Sequence, residues 1–461
     1  MIMSRYVNTV LIDKEPGTVV IINALSGAVD ILDTEEAELL FLHKDNPEKL
    51  PETFQQALLE RGYLFHSVNE ENELLNSKYR EFIKLRDEGE VQFLLSMTYS
   101  CNMACTYCYQ KNFDSPGAYI TEEGIDNFFT FIKTVITQYP NKKYYVTLFG
   151  GEPFLAAGKN KPLLEYLLQR CREQGIKISV VTNGYELLDF ADLLDKQDIK
   201  EIQVTLDGTA AIHDKRRPLK QAGSSFQRII KGMRMLSEKR IPINLRVVLD
   251  RENIHSLPEL VEYLEKEGFF NLPKNRFKTQ IGRSYNLYSD LANSSTYSYY
   301  ELHKEYIELL EEYPILKKFY EPNFKGIKYL VKRGKLAFPL FDGCPAFKSE
   351  WAFDALGNVY GCTASCGDKN YLTGSFLQGE TYLNEKEIDN WRSRSVMSIE
   401  KCQSCAYAFF CGGGCGVMAS EHSGGLHQPD CKEIEKIIHL GINFYYDDIK
   451  KLSEQKAGHA A

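Results

Sequence analysis

The stretch Cys101-Asn102-Met103-Ala104-Cys105-Thr106-Tyr107-Cys108 places three thiols within eight residues. It follows an apolar run, Val91 to Thr98, that has the pattern of a β-strand. Cysteines spaced this closely can bind one face of a compact metal centre from a single loop. They are one ligand short of the Cys₄ set that an iron–sulfur cluster takes. If a cluster binds there, one iron lacks a protein ligand and is open to a small molecule.

Composition places the chain among ordinary globular proteins. It has 461 residues, of which 43% are hydrophobic and 26% are charged, which gives room for about three domains. It has no apolar run of about 18 residues and lacks a signal-peptide pattern at its start, so we expect a cytoplasmic protein with no membrane partner. With 63 acidic against 55 basic residues, we expect no nucleic-acid partner.

The chain has twelve cysteines, and eight of them lie between Cys344 and Cys431. In the cytoplasm, clustered cysteines indicate metal binding rather than disulfides. Cys171 stands apart, on one helical face with Leu164, Leu167 and Leu168. That position is typical of a buried small hydrophobic residue.

From Val91 onward the sequence alternates between strand, loop and helix. The candidate strands are Val91 to Thr98, Tyr144 to Phe149, Lys177 to Thr182, Glu201 to Leu206, Asn244 to Leu249 and Arg276 to Ile281. Helical stripes lie between them, such as Ile125, Phe128 and Ile132 with Thr121 as the N-cap. The alternation predicts an α/β fold with a parallel sheet, arranged as a partial (β/α)₆ TIM-like barrel. The three-cysteine loop follows the first strand, at the strand end where such barrels carry their chemistry.

The loop resembles the cluster motif of radical S-adenosylmethionine (radical SAM) enzymes, including the aromatic Tyr107 before the last cysteine. The resemblance implies that Cys101, Cys105 and Cys108 hold a 4Fe-4S cluster whose open iron is chelated by S-adenosylmethionine. One-electron reduction then yields a 5′-deoxyadenosyl radical. A zinc site is the alternative interpretation.

The second strand ends in Gly150-Gly151-Glu152-Pro153, where glycines let the backbone approach a ligand closely. The run resembles the family's Gly-Gly-Glu-Pro motif. That resemblance implies contact with the methionine amino group, with Glu152 accepting from the ammonium. Without that resemblance, Gly150 to Pro153 would be interpreted as a simple connection between a strand and a helix.

Polar residues follow the next strands. Asn183 and Thr205 resemble family positions near the ribose and carboxylate of S-adenosylmethionine, although turn chemistry explains them, and Asp207, nearly as well. Arg246, within the fifth strand, needs an anionic partner, either a protein group or the cofactor.

The C-terminal cysteines resemble the seven-cysteine pattern of the SPASM domain, an extension of radical SAM enzymes with two auxiliary 4Fe-4S clusters. The resemblance implies an outer cluster on Cys402, Cys405, Cys411 and Cys431 and an inner cluster on Cys344, Cys362 and Cys415. Cys366 is available as the fourth inner ligand. If it does not bind, the inner cluster has an open iron for a substrate thiolate. A zinc ribbon on Cys402, Cys405, Cys411 and Cys415 is the alternative, but it leaves three cysteines without purpose.

Five segments follow from these patterns. Residues 1–67 form an α+β, winged-helix-like module that resembles a leader-peptide recognition element in Asn23 to Gly27 and Gly62 to Leu64. Such modules add the peptide as a strand to a sheet edge. The other segments are a solvated linker helix (68–90), the radical SAM partial barrel (91–283), a helical bridge (284–340) and the SPASM domain (341–461).

This combination resembles maturases of ribosomally made peptides, with three 4Fe-4S clusters and S-adenosylmethionine as cofactors. We expect hydrogen abstraction from a core-peptide residue and formation of a thioether from a substrate cysteine, with flavodoxin or ferredoxin as the reductant. The alternatives are a carbon–carbon or carbon–oxygen crosslink and the oxidation of a sulfatase residue to formylglycine. An electron-transfer or scaffold protein that only stores clusters has no need for the pocket at Gly150 to Pro153.

Overall fold

The computed structural model describes residues 1–112, 117–155, 160–284, 287, 295–379 and 381–460. The chain divides into two compact units. The barrel unit comprises Glu88–Glu321 and Pro345–Arg392, and the terminal unit comprises Met1–Asp87, Pro322–Cys344 and Ser393–Ala461. The segment 341–461, expected as one domain, is therefore divided between the units.

The strands of the described residues are β1 (Ile2–Met3), β2 (Val7–Leu11), β3 (Val19–Asn23), β4 (Ala28–Leu32), β5 (Leu64–Phe65), β6 (Glu90–Ser96), β7 (Lys143–Phe149), β8 (Lys177–Thr182), β9 (Ile199–Thr205), β10 (Ile243–Leu249), β11 (Phe277–Arg283), β12 (Glu350–Asp354), β13 (Asn358–Tyr360), β14 (Gly374–Ser375) and β15 (Tyr382–Leu383).

The α-helices are α1 (Thr34–His43), α2 (Glu52–Glu60), α3 (Val68–Asp87), α4 (Glu122–Gln138), α5 (Asn160–Glu173), α6 (Ala191–Leu194), α7 (Ala210–Arg216), α8 (Phe226–Glu238), α9 (Leu257–Lys266), α10 (Tyr299–Glu312), α11 (Leu316–Phe319), α12 (Ile327–Arg333), α13 (Glu385–Ser393), α14 (Glu400–Gln403), α15 (Ala408–Cys411), α16 (Gly416–His422), α17 (Ile434–Phe444) and α18 (Tyr446–Ala460).

The barrel unit is built on one sheet with the strand order β11-β10-β9-β8-β7-β6-β12-β13-β14-β15. Neighbouring strands from β6 to β11 are parallel. The prediction of an α/β fold with a parallel sheet is confirmed. Strand β8 has the predicted bounds, and the other five differ from the prediction by one or two residues at one or both ends.

Strand β12 is a feature that the sequence did not reveal. It pairs in parallel with β6, with Trp351 opposite Phe93, and so extends the sheet on the side away from β7. Its hairpin partner β13 is antiparallel to it. The start of the cysteine-rich region is therefore part of the barrel sheet.

Helix α4 shows how the pattern produces the core. Its stripe is buried as predicted, with Ile125, Phe128 and Ile132 each 0% exposed. Thr121 caps the helix, because its hydroxyl accepts from the Gly124 N–H at 3.0 Å. Burial of each such side chain contributes about 1.5–3 kcal/mol to folding.

The terminal unit contains a three-stranded antiparallel sheet, β2-β3-β4, and the pair β1-β5. The sheet is tied to the C-terminal part of this unit, because Asn8 Nδ2 donates to the Ala406 carbonyl at 3.0 Å. Helix α3 was expected to be solvated, and most of its residues are exposed or half-buried. Glu71 is an exception, because it is 2% exposed and accepts from the Ser4 hydroxyl at 2.6 Å, which fixes this helix to the module in front of it.

Candidate active site

The three-cysteine loop is held by a second segment of the barrel unit, residues 216–220. Ala104 N donates to the Pro218 carbonyl at 2.8 Å and Thr106 N to the Arg216 carbonyl at 3.0 Å. Lys220 N donates back to the Asn102 carbonyl at 2.8 Å. The two segments therefore run antiparallel, and the clamp fixes the loop on both sides of Cys105.

The thiols of the loop lie in a partly buried environment. Burial, reinforced by the Glu152 carboxyl, raises the pKa of Cys101 to about 12. Its Sγ accepts from Met103 N at 3.4 Å and lies 3.7 Å from Asn183 Nδ2. Burial also raises the pKa of Cys105, and the Arg217 guanidinium opposes that rise. A metal centre would hold such thiols as thiolates, so the donor set fits a cluster.

The described residues do not form a site for a single metal ion. Among residues 1–112, 117–155, 160–284, 287, 295–379 and 381–460, no three Cys, His, Asp or Glu side chains lie close enough together to bind one ion. A 4Fe-4S cluster presents several irons, so its ligands surround the cluster rather than converge on one point.

The glycine pair after β7 meets a steric requirement that differs from the expected one. A Cβ on Gly151 would lie 2.0 Å from the Ser100 carbonyl oxygen, and one on Gly150 would lie 2.7 Å from that of Thr98. Gly151 N donates to the Thr98 carbonyl at 2.9 Å. The glycines therefore bring this loop against the backbone that leads to Cys101; contact with a ligand stays a prediction.

Glu152 joins the ends of two strands. Its Oε1 accepts from the Thr182 hydroxyl at 2.6 Å and from Phe154 N at 2.9 Å, and its Oε2 accepts from Asn183 N at 2.7 Å. Complete burial raises the pKa of this carboxyl to about 7, although these hydrogen bonds oppose the rise. A carboxylate has about four acceptor sites, so the described donors leave room for one more, and acceptance from an ammonium stays a prediction.

Asn183 and Arg246 differ in what they contact. Asn183 Nδ2 donates to Asn102 Oδ1 at 2.7 Å, so it lies beside the cysteine loop. Arg246 pairs in register with Thr205, and its Nε lies 2.7 Å from where a Cβ on Gly282 would stand. Within the part of the chain that the structure describes, Arg246 forms no ion pair. Its expected anionic partner therefore remains a prediction, as does a binding role for Thr205.

A buried network ties Tyr107 in place, and sequence reasoning missed most of it. The Tyr107 hydroxyl donates to Asp207 Oδ2 at 2.5 Å and accepts from Arg217 Nη1 at 2.5 Å. Arg216 pairs with Asp250 at 2.8 Å. Asp207 is 0% exposed and also accepts from a strand N–H. Asp207 is therefore part of a buried hydrogen-bond network and is more than a residue of a turn. The adjacent arginines at the end of α7, Arg216 and Arg217, were the available signal.

The cysteines assigned to the outer cluster lie in the terminal unit: Cys402 and Cys411 are in the short helices α14 and α15, Cys405 lies between these helices, and Cys431 precedes α17. Burial and the neighbouring thiols Cys411, Cys405 and Cys431 raise the pKa of Cys402 to about 12. The pKa of Cys402 therefore responds to the other three thiols, and their binding of one shared cluster stays a prediction.

The cysteines assigned to the inner cluster are divided between the units. Cys344 and Cys415 belong to the terminal unit, whereas Cys362 and Cys366 belong to the barrel unit. Cys366 is 0% exposed, packs in an apolar cluster with Leu94 and Phe149, and lies 3.7 Å from the Tyr99 hydroxyl. Burial raises the pKa of its thiol, and Cys362 adds to the rise. Cys171 is buried and 0% exposed, as predicted.

Comparison with known families decides the identity of the barrel. Residues 95–264 match the radical SAM superfamily. This segment of the barrel unit is therefore a radical SAM domain. The match includes the cysteine loop, the Gly150–Pro153 run and the 216–220 clamp.

The chain has several curated relatives. It is 32% identical over 180 residues to an Fe-coproporphyrin III synthase of Methanosarcina barkeri, covering 37% of this chain and 40% of that one. It is 22% identical over 333 residues to a cysteine-type anaerobic sulfatase-maturating enzyme of Clostridium novyi, covering 68% and 85%. The alignments cover 40%, 66% and 51% of the lengths of the first three curated relatives, so the chain spans less than two thirds of each.

Two solved structures are similar to the chain in fold. Native anSMEcpe with bound AdoMet is 17% identical, with a TM-score of 0.58 and coverage of 79% of this chain and 99% of that chain. Streptococcus suis SuiB bound to precursor peptide SuiA is 15% identical, with a TM-score of 0.51 and coverage of 94% and 99%. Among the described residues, no helix is long and apolar enough to cross a membrane.

Proposed function

We propose that this radical SAM protein is a maturase of a ribosomally made peptide and forms a thioether from a substrate cysteine. The observation that carries the proposal is the three-cysteine loop at the carboxyl end of β6, fixed by the glycine pair on one side and by residues 216–220 on the other. Cys101, Cys105 and Cys108 would hold the first 4Fe-4S cluster. When bound, that cluster and S-adenosylmethionine supply a 5′-deoxyadenosyl radical for hydrogen abstraction.

The chain's own residues would position S-adenosylmethionine beside the loop. Backbone groups of Gly150 to Pro153 and the remaining acceptor site of Glu152 suit an ammonium. The Asn183 side chain, Thr205 and the partly exposed Arg246 guanidinium suit the ribose and the carboxylate. Tyr107, locked by Asp207 and Arg217, would present a rigid ring.

Thioether formation releases one electron, which the clusters on the auxiliary cysteines would accept. Joining a thiol sulfur to a carbon removes one hydrogen atom from the carbon, one proton from the thiol and one electron. We assign that electron to the two auxiliary 4Fe-4S clusters, on Cys402, Cys405, Cys411 and Cys431 and on Cys344, Cys362, Cys415 and Cys366. A flavodoxin or ferredoxin would reduce the first cluster.

The terminal unit offers a place for the leader of the precursor peptide. Strand β4 is an edge of its sheet. A cavity of about 320 Å³ lies beside it, lined by Val29, Ile31, Leu330, Ile449 and Leu452 among others. A peptide that adds to β4 gains backbone hydrogen bonds and places apolar side chains in the cavity. The match over 94% of this chain to a structure that contains a precursor peptide agrees with this role.

Formylglycine formation is the second candidate. The alignment with the sulfatase-maturating enzyme covers 85% of that protein, which favours a related reaction. Such a reaction does not need the module at residues 1–67.

The test is mass analysis of a cysteine-containing precursor peptide, encoded beside this gene, after co-expression with the chain. Loss of two hydrogens per crosslink, with the alkylatable thiol consumed, is the expected result. Loss of hydrogens with every thiol still alkylatable would favour a carbon–carbon or carbon–oxygen crosslink. An unchanged peptide, together with conversion of a sulfatase cysteine to formylglycine, would favour the second candidate.

A further inference from the structure

One fully buried arginine lies among the segments that carry the auxiliary cysteines. Arg394 is 0% exposed and is the largest fully buried side chain of the described residues. A guanidinium is rarely placed in a protein interior, because the charge loses its hydration there. Its position therefore needs a specific explanation.

The guanidinium donates to four backbone carbonyl oxygens of the terminal unit. Nη2 donates to Gly413 at 2.7 Å and to Gln428 at 3.1 Å, Nη1 to Gly414 at 3.0 Å, and Nε to Leu426 at 2.7 Å. Two of these carbonyls lie between Cys411 and Cys415, and the other two lie shortly before Cys431. One side chain thus joins the two loops that carry these three cysteines.

The glycine turn between Cys411 and Cys415 has the shape that this contact requires. Gly412, Gly413 and Gly414 have φ values of +62°, +79° and +73°, a left-handed run that only glycine adopts readily. A Cβ on Gly414 would lie 2.3 Å from the Asp430 carbonyl oxygen. The turn therefore packs directly against the segment before Cys431.

Two further hydrogen bonds strengthen this frame and extend it to the residue before Cys344. Cys415 N donates to Asp430 Oδ2 at 3.0 Å. Gly343 N donates to the Gly412 carbonyl at 2.8 Å, which places the residue before Cys344 against the same turn. Ligands assigned to both auxiliary clusters thus depend on one frame with Arg394 at its centre.

We propose that Arg394 is a positioning residue for both auxiliary clusters: its guanidinium holds the ligand loops in place and supplies positive charge beside thiolate-bound, anionic clusters. The inference rests on the proposed function, because it takes the C-terminal cysteines as cluster ligands. Two properties of the guanidinium act together, its planar set of N–H donors and its positive charge. Lysine keeps the charge but cannot reproduce the planar set of donors, and methionine keeps neither property.

The experiment compares the full chain with its Arg394→Met and Arg394→Lys variants after anaerobic reconstitution. Iron and sulfide per chain are measured, and EPR spectra of the reduced protein are recorded with and without S-adenosylmethionine. Arg392→Met is the matched control, because Arg392 bonds the Phe347 carbonyl at 3.1 Å, within the barrel unit.

Wild type and Arg392→Met should hold about twelve irons, the content of three 4Fe-4S clusters. Arg394→Met should fall to about four, with loss of the auxiliary EPR signals and retention of the signal that responds to S-adenosylmethionine. Arg394→Lys should hold an intermediate amount. This selectivity separates positioning from a general loss of folding, which would remove all signals together.

Wild-type iron content and auxiliary signals in Arg394→Met would overturn the inference, and so would equal loss of all three signals. If Arg394→Met is insoluble, Arg394→Lys decides the matter: selective loss of auxiliary iron supports the inference, and full retention overturns it. A wild-type chain with only about four irons would instead overturn the auxiliary clusters of the proposed function, and this inference with them.

Discussion

At Gly151 the backbones of two strand-end loops meet, and no side chain fits between them. A Cβ there would lie 2.0 Å from the Ser100 carbonyl oxygen, which also accepts from Glu152 N at 2.9 Å. Because the obstacle is backbone, Gly151→Ala must displace the loop that leads to Cys101. We expect a loss of about 1–3 kcal/mol of stability and less iron in the first cluster, measured by thermal unfolding and iron analysis.

Gly282→Ala is the matched control for that prediction. Its Cβ would meet Arg246 Nε at 2.7 Å, the mobile end of a long side chain. This control should keep its iron and most of its stability. Gly151→Ala with wild-type iron and melting temperature would show that the close approach does not position the loop.

His213 gives the barrel unit a defined response to acid. It is 0% exposed, its Nδ1 accepts from Asp207 N at 3.2 Å, and burial lowers its pKa to about 3. Below about pH 6.5 the unfolded chain binds a proton on this imidazole and the folded chain does not. The free energy of unfolding therefore decreases as the pH is lowered through that range. This group alone should remove about 1 kcal/mol between pH 7 and pH 5.5.

His213→Gln keeps an acceptor without titrating, so its stability should depend less on pH than that of the wild type. Urea unfolding midpoints at pH 7 and pH 5.5 for both proteins measure the difference. Parallel profiles would mean that His213 is not buried in its neutral form.

Among the elements, the strands of the barrel were predictable because each has its own apolar run and a helix after it. The contiguous motifs at Cys101–Cys108 and Gly150–Pro153 were visible for the same reason. Strand β12 was not, because its five residues follow the helical bridge and pair with β6, more than 250 residues earlier in the chain. The clamp at 216–220 acts through backbone groups, which leave no side-chain signal in the sequence.

Helix α18 and strand β4 together bound the cavity of the terminal unit, and the leader proposal depends on that element pair. Leu452 lines the cavity from the helix. A carboxylate there would be poorly solvated when a peptide binds, so Leu452→Glu should weaken binding of a fluorescent leader peptide at least about tenfold, equivalent to about 1.4 kcal/mol. Anisotropy titration measures the change.

Leu85→Glu is the control, since Leu85 is 51% exposed on α3 and does not belong to the residues that line the cavity. Both variants should retain iron. Unchanged leader affinity in Leu452→Glu would move the leader site away from this cavity.

For the whole molecule, the division into two units changes the expectation for the C-terminal cysteines. Because β12 belongs to the barrel sheet, the segment with Cys362 and Cys366 belongs to the barrel unit, while the other six auxiliary cysteines belong to the terminal unit. Sequence spacing could not reveal this, since it measures separation along the chain and not pairing between strands. Arg394 was equally hidden, because its partners are carbonyl groups.

Ligation by Cys366 has a direct test. If this thiol completes the inner cluster, Cys366→Ala should lower the iron content of the full chain or alter the EPR signal of that cluster. Cys171→Ala, which removes a buried thiol outside every assigned ligand set, should change neither. An unaltered spectrum and iron content in Cys366→Ala would leave the inner cluster with an open iron.

The central claim is that the loop of Cys101, Cys105 and Cys108 holds a cluster that activates S-adenosylmethionine. The most direct measurement is the yield of 5′-deoxyadenosine from the anaerobically reconstituted chain with S-adenosylmethionine and a strong reductant. The wild-type chain should produce it, Cys171→Ala should match the wild type, and Cys105→Ala should produce none. A reconstituted, iron-loaded wild-type chain that forms no 5′-deoxyadenosine would contradict the claim.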